Sequence, residues 1–130
     1  MKACPRTIFP EKIHKMKALY LTAVGQTAIR EIDIPIPGPE VVLVKIGMVG
    51  FCGGDLNGFK GLFELQEYPN ILGHEVGGTI VDMGSAVPER FQKGMKVTVY
   101  PYQNCGICIS CRKGRKNACQ DNKTMGVRRP

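Results

Sequence analysis

The 130-residue chain contains no tryptophan, four tyrosines, five phenylalanines and two histidines, His14 and His74. Set against sixteen glycines and nine prolines, that shortage of large side chains argues against a helical bundle. Glycine and proline interrupt helices and supply the backbone angles of tight turns, so a turn-rich fold of short strands is expected. No apolar run approaches the roughly 20 residues that cross a bilayer. The opening MKACPRTIFPEKIHK is broken by Pro5 and Pro10 and lacks the apolar stretch of a secretory signal. A reducing cytoplasm is therefore the expected location, and clustered cysteines there hold metal more often than they form disulfides.

Acidic residues are also scarce: eleven Asp and Glu face eighteen Lys and Arg, a formal charge of +7. The excess is concentrated near the end, where Arg112, Lys113, Arg115, Lys116, Lys123, Arg128 and Arg129 are opposed by Asp121 alone. A patch of this kind fits nucleic acid through phosphate contacts. It equally fits a local task, because four thiolates around one Zn²⁺ carry a charge of about −2 that nearby cations offset.

Four of the six cysteines lie within the stretch NCGICISCRKGRKNAC. Cys105, Cys108, Cys111 and Cys119 have the spacing C-x2-C-x2-C-x7-C. Two-residue gaps let successive sulfurs turn back on one point, and the longer arm closes a tetrahedron with Zn–S bonds of about 2.3 Å. Four sulfurs leave no open position, so the expected site is structural. An iron–sulfur cluster fits less well, because ferredoxin-type runs place the fourth cysteine after three residues and before proline. A thioredoxin-like pair would use two cysteines, not four.

The remaining chain reads as one domain of short strands. Residues 1–15 form an expected extension, carrying Cys4 and His14 as incidental side chains. Tyr20–Val24 and Ala28–Ile34 read as a hairpin around Gly25-Gln26, with Ile32 and Ile34 on one face. Further strands are expected at Val41–Val49, Glu75–Met83 and Met95–Tyr100. Residues 55–67 carry the weakest signal, with one helical turn expected near Leu62–Gln66. A cysteine-rich excursion over residues 101–121 rises from the surface of this domain.

A second constellation joins Cys52, in GFCGGDLNGFKG, with His74, in PNILGHEVGG. Each lies beside glycines that allow close backbone approach, and each has a carboxylate nearby, Asp55 and Glu75, able to orient an imidazole or serve a metal. With CGGD, GHEVGGTIVDMGS, FQKGMKVTV and the four-cysteine stretch in this order, the sequence from Met16 to Pro130 resembles the zinc-dependent medium-chain dehydrogenases, in their N-terminal GroES-like catalytic domain. The resemblance implies a mostly β, partly open barrel with a four-cysteine structural-zinc lobe. It implies Cys52 and His74 as ligands of a catalytic zinc, Asp55 as the hydrogen-bond partner of His74, and Glu75 beside the metal, exchanging with its water. Cys105, Cys108, Cys111 and Cys119 would hold the structural zinc.

The implied activity is NAD- or NADP-dependent oxidation of an alcohol, with zinc polarising the hydroxyl for hydride transfer. The segments YPNILGHE, PYQNCGICISC and GFKGLFELQEYP resemble the polyol and sugar-acid branch. A small-molecule alcohol substrate and a homo-oligomeric full-length protein are the implied partners. Three positions depart from the family's habit. Gly54 stands where a Ser or Thr hydroxyl often begins a proton relay, Asn57 where a His is frequent, and Met95 where an Asp is frequent. The 130 residues hold neither a third catalytic ligand nor a G-x-G-x-x-G nucleotide fingerprint. The chain is therefore read as a fragment, inactive by itself and without the Rossmann domain that would carry the cofactor. The alternative reading is a zinc-binding module with a basic surface for nucleic acid. A co-chaperonin-like ring subunit would have no need of Cys52 and His74.

Overall fold

In the computed structural model, residues 15–127 are described, and the strands fall into three small antiparallel sheets. The calls on Cys4 and His14, on the N-terminal extension up to residue 14, and on Arg128 and Arg129 lie outside the described residues. Lys15, expected in the extension, belongs to the first strand.

Strands β1 (Lys15–Ala23) and β2 (Gln26–Asp33) form the expected hairpin, pairing Leu19 with Ile29 and Tyr20 with Ala28. The turn falls at Val24–Gly25, one residue earlier than expected, because Gly25 supplies the positive φ of +70°. In and just beyond β2, Ile32 and Ile34 are half-buried and Asp33 between them is exposed, as alternation predicts, while Arg30 is exposed although it shares the face of the two isoleucines. Strand β4 (Asn70–Ile71) adds to the other side of β1 through the pairs Tyr20–Ile71 and Leu21–Asn70. So short a strand has no periodicity of its own, and the sequence did not announce it.

The second sheet has the order β3-β5-β6, built from β3 (Val42–Gly50), β5 (Glu75–Met83) and β6 (Lys96–Thr98). Strand β6 is shorter than expected, because its pairing with β5 covers only Gly77–Thr79. Leu21 of β1 and Ile80 of β5 are fully buried, and Ala18 and Val76 complete the small buried apolar set. Burying an aliphatic side chain of this size contributes about 1.5–3 kcal/mol, so much of the stability from apolar burial comes from these few residues.

The helix falls elsewhere than expected. Residues 62–66 form a turn closed by the Gln66 N–H on the Phe63 carbonyl at 3.0 Å, whereas α1 occupies Gly53–Phe59. Three glycines in seven residues are poor helix formers, and the start is fixed by side chains instead. Cys52 is the N-cap, its sulfur accepting from the Gly54 N–H at 3.1 Å, while Asp55 reaches back to the Cys52 N–H at 2.8 Å. This is a capping box with sulfur in place of the usual hydroxyl.

The excursion is closed at its base by β7 (Tyr102–Gln103) and β8 (Lys123–Thr124), which pair Tyr102 with Thr124 and Gln103 with Lys123. Within it lie a short helix α2 (Ile109–Arg112) and a single 3₁₀ turn at Lys116–Ala118. Among the described residues no helix is long and apolar enough to cross a membrane.

Candidate metal centres

The two-residue gaps of the cysteine lobe produce the geometry their spacing implies. The backbone N–H of Cys108 donates to the sulfur of Cys105 at 3.4 Å, that of Cys111 to Cys108 at 3.5 Å, and that of Cys105 to Cys119 at 3.3 Å. Three of the four sulfurs, those of Cys105, Cys108 and Cys119, are thus aimed by the amide of another cysteine, and Gly106 and Gly114 make the turns at φ +77° and +74°. The Sγ atoms of Cys105 and Cys119 lie 3.6 Å apart and those of Cys105 and Cys111 4.0 Å apart. Four sulfurs about 2.3 Å from a common tetrahedral centre are separated by about 3.8 Å, between those two values. A disulfide requires about 2.0 Å, and every cysteine among the described residues is a free thiol.

The amides and the crowding together divide the thiols electrostatically. Cys108 falls to about 6, first because it accepts from the backbone of Gln120 and then from that of Cys111. Cys119 is also lowered, chiefly by the backbone N–H of Cys105. Cys111 is pushed up to about 12, by desolvation first and then by its hydrogen bond with Cys108. Four sulfurs sharing one small volume cannot all ionise without a cation, and a divalent ion is the group that this donor set fits.

The second centre forms where α1 begins and β5 is about to begin. Cys52 Sγ lies 3.4 Å from His74 Nε2. A sulfur and an imidazole nitrogen that share a tetrahedral zinc stand about 3.5 Å apart, given bonds of about 2.3 and 2.0 Å. On the other side of the ring, Asp55 Oδ1 lies 3.6 Å from His74 Nδ1, a separation just beyond hydrogen-bond length. Nδ1 is buried and has no closer partner. An orphaned buried ring nitrogen facing a carboxylate, with the opposite nitrogen facing a thiol, is the arrangement that holds one tautomer of a metal-binding histidine.

Asp55 is 5 % exposed, and besides the Cys52 amide it accepts from the Gly73 N–H at 3.4 Å. It therefore ties together the helix start, the backbone before His74 and the imidazole. The ligand atoms of Cys52, Asp55 and His74 all lie within 4.8 Å of one another. Glu75 does not join them. As the first residue of β5 it pairs with Gly50, and its carboxylate lies over that glycine, occupying the space a Cβ there would need.

The centre stands between two clefts. His74 lines one of about 730 Å³, together with Tyr100, Tyr102, Asn104, Lys116 and Asn122. Tyr100 and Tyr102 meet edge to face, with ring centroids 5.4 Å apart. Cys52 and Asp55 line the other, of about 450 Å³, whose remaining wall is largely apolar: Leu19, Phe51, Leu56 and Phe59. The tyrosines and Asn104 carried no signal of their own in the sequence, since only the fold of the lobe base turns them toward His74.

Comparison with known proteins identifies the family of the fold. The family described as the alcohol dehydrogenase GroES-like domain matches residues 38–127. The L-galactonate-5-dehydrogenase of Escherichia coli K12 is 40 % identical over 95 residues, covering 73 % of this chain and 28 % of that protein. The L-threonine 3-dehydrogenase of Pyrococcus horikoshii is 38 % identical over 121 residues, covering 87 % of this chain and 33 % of that one. Among solved structures, a candidate zinc-binding dehydrogenase from Sinorhizobium meliloti 1021 with NADP bound superposes with a TM-score of 0.82 at 39 % identity, covering 88 % of this chain and 33 % of that chain. The chain spans about a third of the length of the relatives it matches. With residues 38–127 matched directly, the chain belongs to the alcohol dehydrogenase GroES-like domain family.

Proposed function

We propose that this chain is the metal-binding part of a zinc-dependent dehydrogenase that transfers hydride between a carbinol carbon of a polyol or sugar acid and NAD or NADP. The observation that carries this reading is the approach of Cys52 Sγ to His74 Nε2 at 3.4 Å, with Asp55 facing the opposite ring nitrogen. Cys52 and His74 would hold the catalytic zinc, and Cys105, Cys108, Cys111 and Cys119 the structural one. Zinc at the first position supplies a Lewis acid that lowers the pKa of a substrate hydroxyl.

The protein's own contribution is orientation. Asp55 keeps the proton of His74 on Nδ1, leaving the Nε2 lone pair for the metal. The N-cap position points the Cys52 sulfur toward the same place. Gly54 offers no hydroxyl, so the substrate's proton leaves through water or through a second hydroxyl of the substrate itself. Glu75, folded over Gly50, acts as a carboxylate beside the centre and not as one of its fixed donors.

The cleft beside His74 supports the substrate class. Asn104, Asn122 and Lys116 line it, offering hydrogen bonds to hydroxyls and one cation for a carboxylate. Galactonate and threonine, the compounds in the names of the two relatives, are both hydroxy acids. The test is metal analysis followed by ligand titration. In excess zinc buffer the chain is expected to hold two equivalents, falling to one in Cys52→Ser. With zinc loaded, L-galactonate is expected to shift the NMR resonances of Tyr102 and Asn104, and to do so far less in Lys116→Ala. A second zinc that survives both Cys52→Ser and His74→Ala overturns the metal assignment, and unmoved cleft resonances overturn the substrate class.

A further inference from the structure

Gly73 immediately precedes His74, and three separate elements hold its backbone. Its N–H donates to Asp55 Oδ1 at 3.4 Å, which ties it to helix α1. Its φ is +94°, and a Cβ there would stand 2.3 Å from Val49 Cγ1, so β3 covers it closely on that side. Gly126 covers it from another direction. A Cβ built on Gly126 would lie 3.3 Å from the Gly73 oxygen, 3.4 Å from its nitrogen and 3.5 Å from its carbonyl carbon. A side chain on Gly126 would meet the Gly73 backbone at once, and that backbone would have to yield by a few tenths of an ångström to admit it.

Two buried amides keep Gly126 in place. Gln66 Nε2 donates to the Gly126 carbonyl at 3.3 Å, and Asn70 Nδ2 donates to the Val127 carbonyl at 2.7 Å. Both side chains are almost fully enclosed, at 8 % and 4 % exposure. The Glu67 N–H adds a bond to Val127 O at 3.3 Å. The turn so anchored directly follows β8, the strand that closes the cysteine lobe, where Thr124 pairs with Tyr102 and the Met125 N–H donates to Pro101 O at 3.0 Å.

We infer that Gly126, tethered by Gln66 and Asn70, is a positioning residue for His74: the chain leaving the cysteine lobe sets the backbone from which the imidazole projects. This rests on the reading of Cys52 and His74 as a metal centre. It extends that reading by making the second centre depend on the seating of the first lobe's exit. Neither cysteine spacing nor strand pattern carries it; the stacked glycines and the two amides do.

The experiment compares Gly126→Ala with Gly25→Ala. Gly25 has a similar φ of +70° but nothing within 4 Å of a Cβ, so it reproduces the backbone strain without the contact. Both proteins, loaded with one equivalent of zinc to fill the lobe, are examined in two ways. Amide hydrogen exchange of Gly73 reports its seating, and cobalt(II) titration with the thiolate-to-cobalt absorption of Cys52 reports the second centre. In Gly126→Ala, Gly73 exchange is expected to accelerate at least about tenfold, and cobalt affinity to fall by about 10–100-fold, the size of effect that misplacing a metal ligand's support produces. In Gly25→Ala both stay at the wild-type level. Gln66→Met, which removes the tether to Gly126 together with the Gln66 Nε2 bond to Glu67 O at 3.0 Å, is expected to shift both readouts in the same direction by a smaller factor. Equal changes in Gly126→Ala and Gly25→Ala, or no change of Gly73 exchange in either, overturn the inference. A wild-type protein that shows no second cobalt site overturns the metal assignment instead, and Gly73 exchange then still decides whether Gly126 seats His74.

Discussion

Replacing Asp55 with asparagine tests the second centre at its most connected residue. The carboxylate accepts from the Cys52 N–H at 2.8 Å and the Gly73 N–H at 3.4 Å, and faces His74 Nδ1 at 3.6 Å. Asparagine keeps one oxygen, which satisfies the short bond to Cys52. Its NH₂ group then points at two donors, the Gly73 N–H and a protonated Nδ1, neither of which it can accept. Hydrogen bonds to a charged group contribute about 1.5–3 kcal/mol each; the one affected here, from Gly73, is long, and the negative charge facing Nδ1 is lost with it, so a loss of about 1.5–3 kcal/mol in total is expected. The part that falls on the imidazole appears as a 10–100-fold loss of metal affinity. Alanine at the same position also removes the reciprocal cap, a further cost of about 1 kcal/mol. Urea denaturation of zinc-loaded protein measures the first quantity and cobalt(II) titration at the Cys52 site the second. An asparagine variant that binds the second cobalt within about twofold of wild type would refute the role given to Asp55.

Three other outcomes follow from the same coordinates. Leu21→Ala, at a fully buried position in a small core, is expected to cost about 2–5 kcal/mol in urea unfolding while the lobe still takes up zinc; a loss below about 1 kcal/mol would mean that the two sheets do not depend on it. Zinc uptake by the lobe at about pH 7.5 is expected to release about three protons or fewer, because the Cys108 thiol, lowered to about 6, is already ionised while Cys111, held near 12, must still give up its proton. Calorimetry in buffers of different ionisation enthalpy counts them, and a release of four contradicts the assignment. Finally, Arg112, Lys113, Arg115, Lys116 and Lys123 are exposed and without an ion pair among the described residues, yet their charge is matched in part by the thiolate cluster. No retention of duplex DNA or single-stranded RNA is expected at low salt, and steeply salt-dependent binding would revive the nucleic-acid reading.

The parts of this molecule visible in the sequence are those where one residue type dictates its own geometry. Cysteines two residues apart return to a point because backbone amides can then bond the preceding sulfur, and the structure shows those bonds at Cys108 and Cys111. The hairpin and the long strands follow from alternation and a glycine turn. Helix α1 was hidden because its cause is unusual: GGDLNGF has little helical tendency, and a cysteine does the capping that pattern reading assigns to serine or threonine. Asn70–Ile71 was hidden because two residues cannot show a period. The placement of the Glu75 carboxylate over Gly50 depends on a register, Gly50 opposite Glu75, that no local pattern specifies. Gln66, Asn70 and Gly126 meet only through contacts some 60 residues apart in the chain.

The sulfur-capped helix start has a consequence for which ions the second centre accepts. A thiol that already receives an amide proton on a fixed turn cannot swing to suit a larger or more demanding coordination shell. Ions that need six oxygen neighbours, such as magnesium and calcium, meet one soft sulfur and one imidazole in rigid directions and gain little. Borderline-soft ions content with four neighbours meet donors already facing them. On the proposed assignment, discrimination between metals at this position would lie in the first turn of a seven-residue helix.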